Sequence, residues 1–127
     1  MEKIKYSSLN NKQQESFNYQ KLSGVMADYG YITYRMFDDY NGADLHAVGV
    51  KGDILKIQLK GRFEILSKYK DKNLYVAFPY ASKWYLYPHD EFYEWVTSRN
   101  PGAKKNGGSS TGKPSKKLLE SLAKYEI

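Results

Sequence analysis

The spacing of hydrophobic positions predicts a helix at the start of the chain. Apolar side chains recur at three- and four-residue intervals before Gly30, as they do on one face of a helix. We therefore predict a helix from about Leu9 to Tyr29, entered through Ser7 or Ser8 as its cap and ended by Gly30. The face is defined by Leu22, Val25, Met26 and Tyr29.

The pattern then changes to short runs rich in β-branched and aromatic residues, which predict strands. A turn over Asp38–Gly42 separates the first two runs, and Gly49–Asp53 joins the second and third into a hairpin. The predicted strands are Tyr31–Phe37, Ala43–Val48, Ile54–Phe63, Leu74–Pro79 and Trp84–Tyr87, followed by a short helix over Glu91–Thr97 with Asp90 as its cap. This order predicts an α/β (α+β) fold, with a central mixed β-sheet flanked by helices.

A shift in composition after Arg99 divides the chain. Residues 1–99 carry the periodic elements and form the predicted domain, whereas residues 100–115 are rich in glycine, lysine and serine. The second segment is typical of a flexible basic linker. Residues 116–127 include leucines at helical spacing and predict a short C-terminal amphipathic helix.

Composition narrows the chemistry and the location that the chain can have. The 127 residues include no cysteine and two histidines, which excludes thiolate sites and makes a multi-histidine zinc site improbable. A metal would have to be held mainly by oxygen ligands, which favours Mg²⁺ or Mn²⁺. No run approaches the roughly 20 apolar residues of a membrane span, and the N-terminus lacks the apolar centre of a secretory signal. We expect a cytoplasmic protein with no membrane partner.

Charge and aromatic content favour an anionic partner. The formal net charge is +6, and 13 tyrosines contribute to an aromatic content of 16%. Basic side chains attract phosphate groups, and aromatic rings stack on unpaired bases. A basic protein whose tyrosines simply fill half-buried positions is an equal alternative on composition alone.

The predicted hairpin brings one carboxylate next to a polar strand face. Side chains alternate along a strand, so Lys56, Gln58 and Lys60 share the face opposite the apolar positions. A hairpin turn centred near Lys51 places Asp44 opposite Gln58. Directly opposed side chains have Cβ atoms about 4.5–5.5 Å apart, close enough to reach one metal ion.

A second carboxylate is predicted on the first helix. Glu15 lies seven residues before Leu22 and eleven before Met26, and therefore on the same helix face. A carboxylate on an apolar face is costly without compensation. Glu15 is therefore a candidate fourth member of the site, with a solvated glutamate near a helix start as the alternative.

This arrangement resembles the PD-(D/E)XK nuclease superfamily. The residues that carry the likeness are Asp44, then thirteen intervening residues, then Gln58-Leu59-Lys60, preceded by the helical Glu15. Over residues 9–97 the chain is similar to compact members such as Holliday junction resolvases and small restriction-endonuclease-like proteins. It departs from the pattern in two places. Gly42-Ala43 stand before Asp44 where the family has proline, and Gln58 replaces an acidic residue.

The resemblance implies a Mg²⁺- or Mn²⁺-dependent DNA endonuclease, active on branched or otherwise structured DNA and compatible with a homodimer. Asp44 would be the principal metal ligand, with the Gln58 side chain and the Leu59 backbone oxygen as further ligands. Glu15 would bind through water or hold a second metal. Lys60 would orient the attacking water or stabilise the transition state. Because Gln58 removes a negative charge, weaker metal affinity is expected.

Other basic residues are candidates for DNA contact. Arg62 lies on the same side as Lys60, and a basic aromatic turn surrounds Tyr69; the candidates are Lys56, Arg62, Lys68, Lys70 and Lys72. Solvated side chains are the alternative for each, and His46 is either a neighbour of the metal ligands or an ordinary hydrogen-bonded histidine. Two other functions remain open for the whole chain. One is a non-catalytic nucleic-acid-binding module with this fold, and the other is a small protein-interaction domain.

Overall fold

A computed structural model describes the backbone of residues 1–127 and all side chains except those of residues 37–40. Five strands form one sheet in the order β1-β2-β3-β5-β6, where β3 and β5 are parallel and the other neighbours are antiparallel. The predicted fold class, a mixed sheet flanked by helices, is confirmed. The elements are α1 (Asn11–Ala27), β1 (Tyr31–Tyr40), β2 (Ala43–Gly49), β3 (Ile54–Leu59), β4 (Phe63–Leu66), β5 (Tyr75–Tyr80), β6 (Lys83–Pro88), α2 (His89–Arg99), α3 (Pro101–Lys105), β7 (Gly108–Thr111) and α4 (Lys116–Leu122).

The first helix begins with a capping box rather than at the predicted serines. The Asn10 side chain accepts the backbone N–H of Gln13, and the Gln13 side chain accepts the backbone N–H of Asn10, both at 2.9 Å. Ser7 and Ser8 instead lie in a 3₁₀ turn. The physical reason is reciprocity, since neither serine is followed three residues later by the glutamate or glutamine that completes the box. Asp90 likewise does not cap α2, which begins after Pro88 without a side-chain cap.

A two-residue turn connects β1 to β2. Asn41 and Gly42 both have positive φ, 55° and 84°, which is the backbone of a type I′ hairpin turn. The turn is therefore shorter than the predicted Asp38–Gly42, because β1 continues to Tyr40, which pairs with Ala43. The side chains of Asp38 and Asp39 lie outside the described part of the chain.

We expect the Gly42→Ala substitution to lower the free energy of unfolding by about 2 kcal/mol or more. A residue with a side chain pays about 1–2 kcal/mol for the left-handed conformation, and a Cβ here would lie 2.7 Å from Tyr69 and 2.9 Å from Leu74. Gly24→Ala is the matched control, because Gly24 lies inside α1 with open space around it. That variant should gain about 0.5–1 kcal/mol. Urea denaturation of both variants measures the difference, and equal effects would contradict the turn geometry.

Two hydrophobic layers cover the two faces of the sheet. On one face, α1 packs against the odd-numbered positions of β2 and β3; its buried members are Leu22, Met26, Leu45, Ala47, Ile57, Ala77 and Trp84. On the other face, α2, α4 and the small sheet cover β5 and β6; the buried members include Phe63, Phe78, Tyr87 and Phe92. This second layer does not extend over β1 and the outer part of β2, where Ile32 and Tyr34 are exposed.

Residues 100–115, predicted to be a flexible basic linker, contain the helix α3 and the strand β7. Asn100 caps α3 by accepting the backbone N–H of Ala103 at 3.2 Å, and Ala103 is buried. β7 then pairs with β4, with Phe63 opposite Thr111. The glycine- and serine-rich segment gains its structure from this distant partner strand rather than from its own composition. Within residues 116–127, α4 spans Lys116–Leu122, and Leu122 is fully buried.

Throughout the described residues, every helix is too short or too polar to cross a lipid bilayer.

Candidate functional site

The predicted hairpin register is confirmed. In the structure Leu45 pairs with Ile57, and His46 pairs with Lys56, which is the register that continues to Asp44 opposite Gln58. Asp44 stands near the start of β2, and Gln58 near the end of β3. The two candidate residues therefore meet at one end of the sheet, on the strands where the sequence predicts them.

A hydrogen bond from the next residue of β3 orients the Asp44 carboxylate. The backbone N–H of Leu59 donates to Asp44 Oδ2 at 2.7 Å. Such a charge-assisted bond is shorter and stronger than one between neutral groups. It directs the carboxylate toward the segment Gln58-Leu59-Lys60. A carboxylate can accept several further bonds, so this contact is compatible with metal binding.

Gln58 is buried at the same end of the hairpin. Its side chain is 3% exposed, and its Nε2 donates to the carbonyl oxygen of Gly42 at 3.4 Å. The Gln58 amide oxygen therefore points away from the Gly42 carbonyl, because the amide oxygen and Nε2 lie on different sides of the amide carbon. Gln58 is thus held between β3 and the β1–β2 turn. Its partner in that turn, Gly42, lies two residues before Asp44 in the sequence.

Lys60 leaves the sheet beside Tyr69 of the predicted basic turn and beside Glu64, which the sequence analysis did not single out. Its Nζ lies 3.3 Å from Glu64 Oε1 and 5.6 Å from the centre of the Tyr69 ring. The backbone of Glu64 is fixed by a hydrogen bond, since the buried Tyr87 hydroxyl donates to its carbonyl at 3.0 Å. Burial raises the pKa of Tyr87 well above its usual range, which keeps this donor protonated. Glu64 belongs to a separate strand, so alternation along β3 gave no signal for it.

Glu15 does not occupy the buried position that the helix pattern predicts. Its side chain is 60% exposed, and its carboxylate lies 3.5 Å from Arg35 of β1. Arg35 also donates to Ser16 at 3.3 Å. Glu15 stands about two turns of α1 before the buried Leu22, so its position on the same helix face did not determine its burial. Among the described contacts, none joins Glu15 to Gln58 or Lys60.

The five predicted DNA-contact residues differ in whether a described acidic side chain lies next to them. Lys68 lies over the same Tyr69 ring as Lys60, 4.9 Å from its centre, and Lys56 pairs with His46 on the open sheet face. Arg62 is exposed just beyond Lys60, and Lys72 is exposed in the turn before β5.

Lys70 is different, because it faces Glu94 of α2 at 3.6 Å, which offsets its charge.

The donor set suits only a metal that retains other ligands. Among the described side chains, no group of three or more histidines, aspartates or glutamates is placed to hold an ion. Asp44 could supply one carboxylate to an ion, and Gln58 and the Leu59 backbone could supply neutral oxygens. Mg²⁺ is commonly bound through one or two carboxylates, with water and substrate phosphates completing the shell. The residues therefore fit a substrate-completed Mg²⁺ or Mn²⁺ site rather than a closed protein cage.

The mixed sheet with its flanking helices is similar to the fold of one solved protein structure. A solved structure of the bacterial homing endonuclease I-Ssp6803I matches it with a TM-score of 0.56, over 92% of this chain and 86% of that chain. The sequence identity is 16%, so the likeness concerns the fold alone. No protein-family model matches the chain, and no curated protein matches it in sequence.

Proposed function

We propose that the chain is a metal-dependent DNA endonuclease of the PD-(D/E)XK type, with Asp44, Gln58 and Lys60 at its active site. The observation that carries the proposal is the bond from the Leu59 N–H to Asp44. It joins Asp44 to the middle residue of Gln58-Leu59-Lys60 across the β2–β3 hairpin, and these are the two parts of the motif. The nuclease-like fold of the structural neighbour supports the same interpretation.

The proposed chemistry assigns a separate task to each residue. Hydrolysis of a phosphodiester requires a nucleophilic water and stabilisation of the charge that builds on the phosphate. A bound Mg²⁺ or Mn²⁺ would supply Lewis acidity and lower the pKa of a water. Asp44, the Gln58 amide oxygen and the Leu59 carbonyl would hold that ion. Lys60 would orient the water or stabilise the phosphate, with Glu64 and Tyr69 positioning its ammonium group.

Glu15 enters the proposal as an outer member. Its exposed carboxylate and its pairing with Arg35 favour a contact through water, or with a second ion, over direct coordination. The exposed Arg62, Lys68 and Lys72, with Lys56 on the open face of the sheet, would attract the DNA backbone. Lys70 would contribute less because Glu94 faces it. A homodimer is compatible with this arrangement.

A second candidate is a nucleic-acid-binding module that retains the fold without cleaving DNA. The observation that favours it is Gln58, which stands where a carboxylate would strengthen metal binding. It shares the DNA partner of the first proposal and differs in metal dependence. An interaction domain for proteins, the third possibility raised by the sequence, has no specific observation in its favour.

A panel of labelled DNA structures tests the activity. The purified protein is incubated with duplex, branched and single-stranded DNA in Mg²⁺, in Mn²⁺ or with chelator. Cleavage of at least one structure that needs the metal is expected, and the preferred structure identifies the substrate class. Binding that weakens with salt but leaves all DNA intact in both metals would favour the non-catalytic module.

We expect Gln58→Glu to strengthen metal binding. The substitution adds a negative ligand at constant size, and it also places that charge beside the Gly42 carbonyl, which Gln58 now donates to. The protein without metal should be less stable, and the stabilisation by Mn²⁺ should increase by about 1.4 kcal/mol for each tenfold gain in affinity. Thermal unfolding with and without Mn²⁺ measures both effects. Gln20→Glu on exposed α1 is the control, and an identical metal response in the two variants would argue against a site at Gln58.

A further inference from the structure

A cavity near the proposed active site is lined by aromatic and basic side chains. It has a volume of about 600 Å³ and lies between α1, the loop after β3 and the β5–β6 turn. This is within the range of small-molecule pockets. Its walls include the aromatic rings of Tyr6, Phe17 and Trp84. The rings of Tyr6 and Phe17 meet edge to face, with centres 5.3 Å apart.

The charge of the lining is positive. Lys21, Arg62 and Lys83 contribute to it, and no aspartate or glutamate is among the described lining residues. Lys83 is paired with Glu126 at 3.1 Å. For Lys21 and Arg62, the described part of the chain contains no ion pair, although Lys21 lies 5.4 Å above the Phe17 ring. Two cations beside aromatic walls are complementary to a phosphate attached to a base.

A polar group is built into the same wall. Asn18 is 5% exposed, and its Nδ2 donates to the Tyr6 hydroxyl at 2.9 Å. An amide in an aromatic pocket can distinguish the polar edge of a base from an apolar group. A Cβ added at Gly61 would lie 3.8 Å from both partners of this bond. The Asn18–Tyr6 pair therefore lies next to the backbone of Gly61.

The pocket and the proposed active site share one end of the sheet. Gly61 and Arg62 follow Lys60 immediately, and two residues span at most about 7 Å. The end of β5 and the start of β6 lie at the same end, because β3 and β5 are parallel. The lining residues Gly61 and Arg62 therefore lie within about 7 Å of Lys60.

We propose that this cavity binds an unpaired nucleotide of the DNA strand, with its base among Phe17, Tyr6 and Asn18 and its phosphate at Lys21 and Arg62. The inference rests on the proposed nuclease function for the identity of the polymer. It adds a recognition site for a nucleotide outside the duplex, which is the feature that would direct the enzyme to branched or opened DNA.

Fluorescence of Trp84 gives a readout that does not depend on cleavage. Trp84 lines the pocket, and Trp95→Phe removes the other tryptophan. Titration with a short oligodeoxythymidylate, without divalent metal, should change the signal saturably. Phe17→Ala should weaken this binding by about tenfold, as expected for loss of one stacking surface. Tyr29→Ala, an exposed aromatic at the other end of the sheet, should leave it unchanged.

A charge-matched pair tests the phosphate position. Lys21→Ala should reduce the salt dependence of binding by about one unit of slope, whereas Lys51→Ala, in the β2–β3 turn at the opposite end, should not. Equal effects of the two variants would overturn the proposal, as would a Trp84 signal that does not respond to the oligonucleotide. An equal response to inorganic phosphate would reduce the pocket to an anion site. Thymidine monophosphate binding as tightly as the oligonucleotide would assign it to free nucleotides and overturn the strand assignment.

The two proposals fail separately. A protein that cleaves no DNA but shows the Phe17- and Lys21-dependent response retains the pocket and loses the nuclease. Metal-dependent cleavage with no change at Trp84 retains the nuclease and rejects the pocket.

Discussion

Replacing Asp44 by asparagine is expected to reduce DNA cleavage by about 10³-fold or more, since loss of a single group that stabilises the transition state can cost that much. The substitution removes the negative charge that the proposed metal needs most. It keeps the size of the side chain and an oxygen that can still accept the Leu59 N–H, which Asp44 now accepts at 2.7 Å. The fold should therefore survive. Initial cleavage rates in Mn²⁺ measure the effect.

Asp53→Asn is the matched control for this experiment. Asp53 lies at the opposite end of the same hairpin and accepts a hydrogen bond from the Tyr31 hydroxyl. Its loss should leave cleavage within about twofold, because a side chain that makes no contact with the proposed metal or substrate does not stabilise the transition state. Cleavage by Asp44→Asn at a rate close to that of the unaltered protein would place the active site elsewhere, or attribute the activity to a contaminant.

The second large effect concerns stability. Phe78→Ala should lower the free energy of unfolding by about 3–5 kcal/mol, because it leaves a cavity at a fully buried aromatic position. Phe78 is 0% exposed and stacks on Tyr85 at 5.3 Å between ring centres. It also meets the edges of Phe63 and Tyr87. Chemical denaturation measures the loss.

Ile32→Ala provides the comparison, since Ile32 is 62% exposed on the uncovered part of the sheet. Its removal should change stability by no more than about 0.5 kcal/mol. If both variants lost the same stability, the second hydrophobic layer would extend over β1, contrary to the described packing.

Elements with local signals could be predicted from the sequence. The apolar spacing predicted α1, and alternation together with the turn length predicted the β2–β3 register, which places Asp44 near Gln58 and Lys60. Both signals act over a few residues, so no distant partner is needed to recognise them. The fold class followed from the order of these elements.

What depends on distant contacts was not predicted. β7 has no alternating pattern and exists because β4 supplies its hydrogen-bond partners from more than forty residues away. The predicted strand Ile54–Phe63 is divided for a related reason, because the chain leaves the main sheet after Leu59 and joins the smaller one at Phe63. Glu64 reaches Lys60 only through this change of direction. Glu15 was expected to be buried because of its helix face, but burial also requires other elements to cover that part of α1.

The location of bound Mn²⁺ tests the central claim most directly. Crystals soaked in Mn²⁺ are measured at a wavelength where manganese scatters anomalously. The account predicts an ion at coordination distance, about 2.0–2.2 Å, from the Asp44 carboxylate, with the Gln58 amide oxygen or the Leu59 carbonyl as a second protein ligand. An Asp44→Asn crystal should lack it. Full occupancy at another position, with none at Asp44, would contradict the assignment of the site.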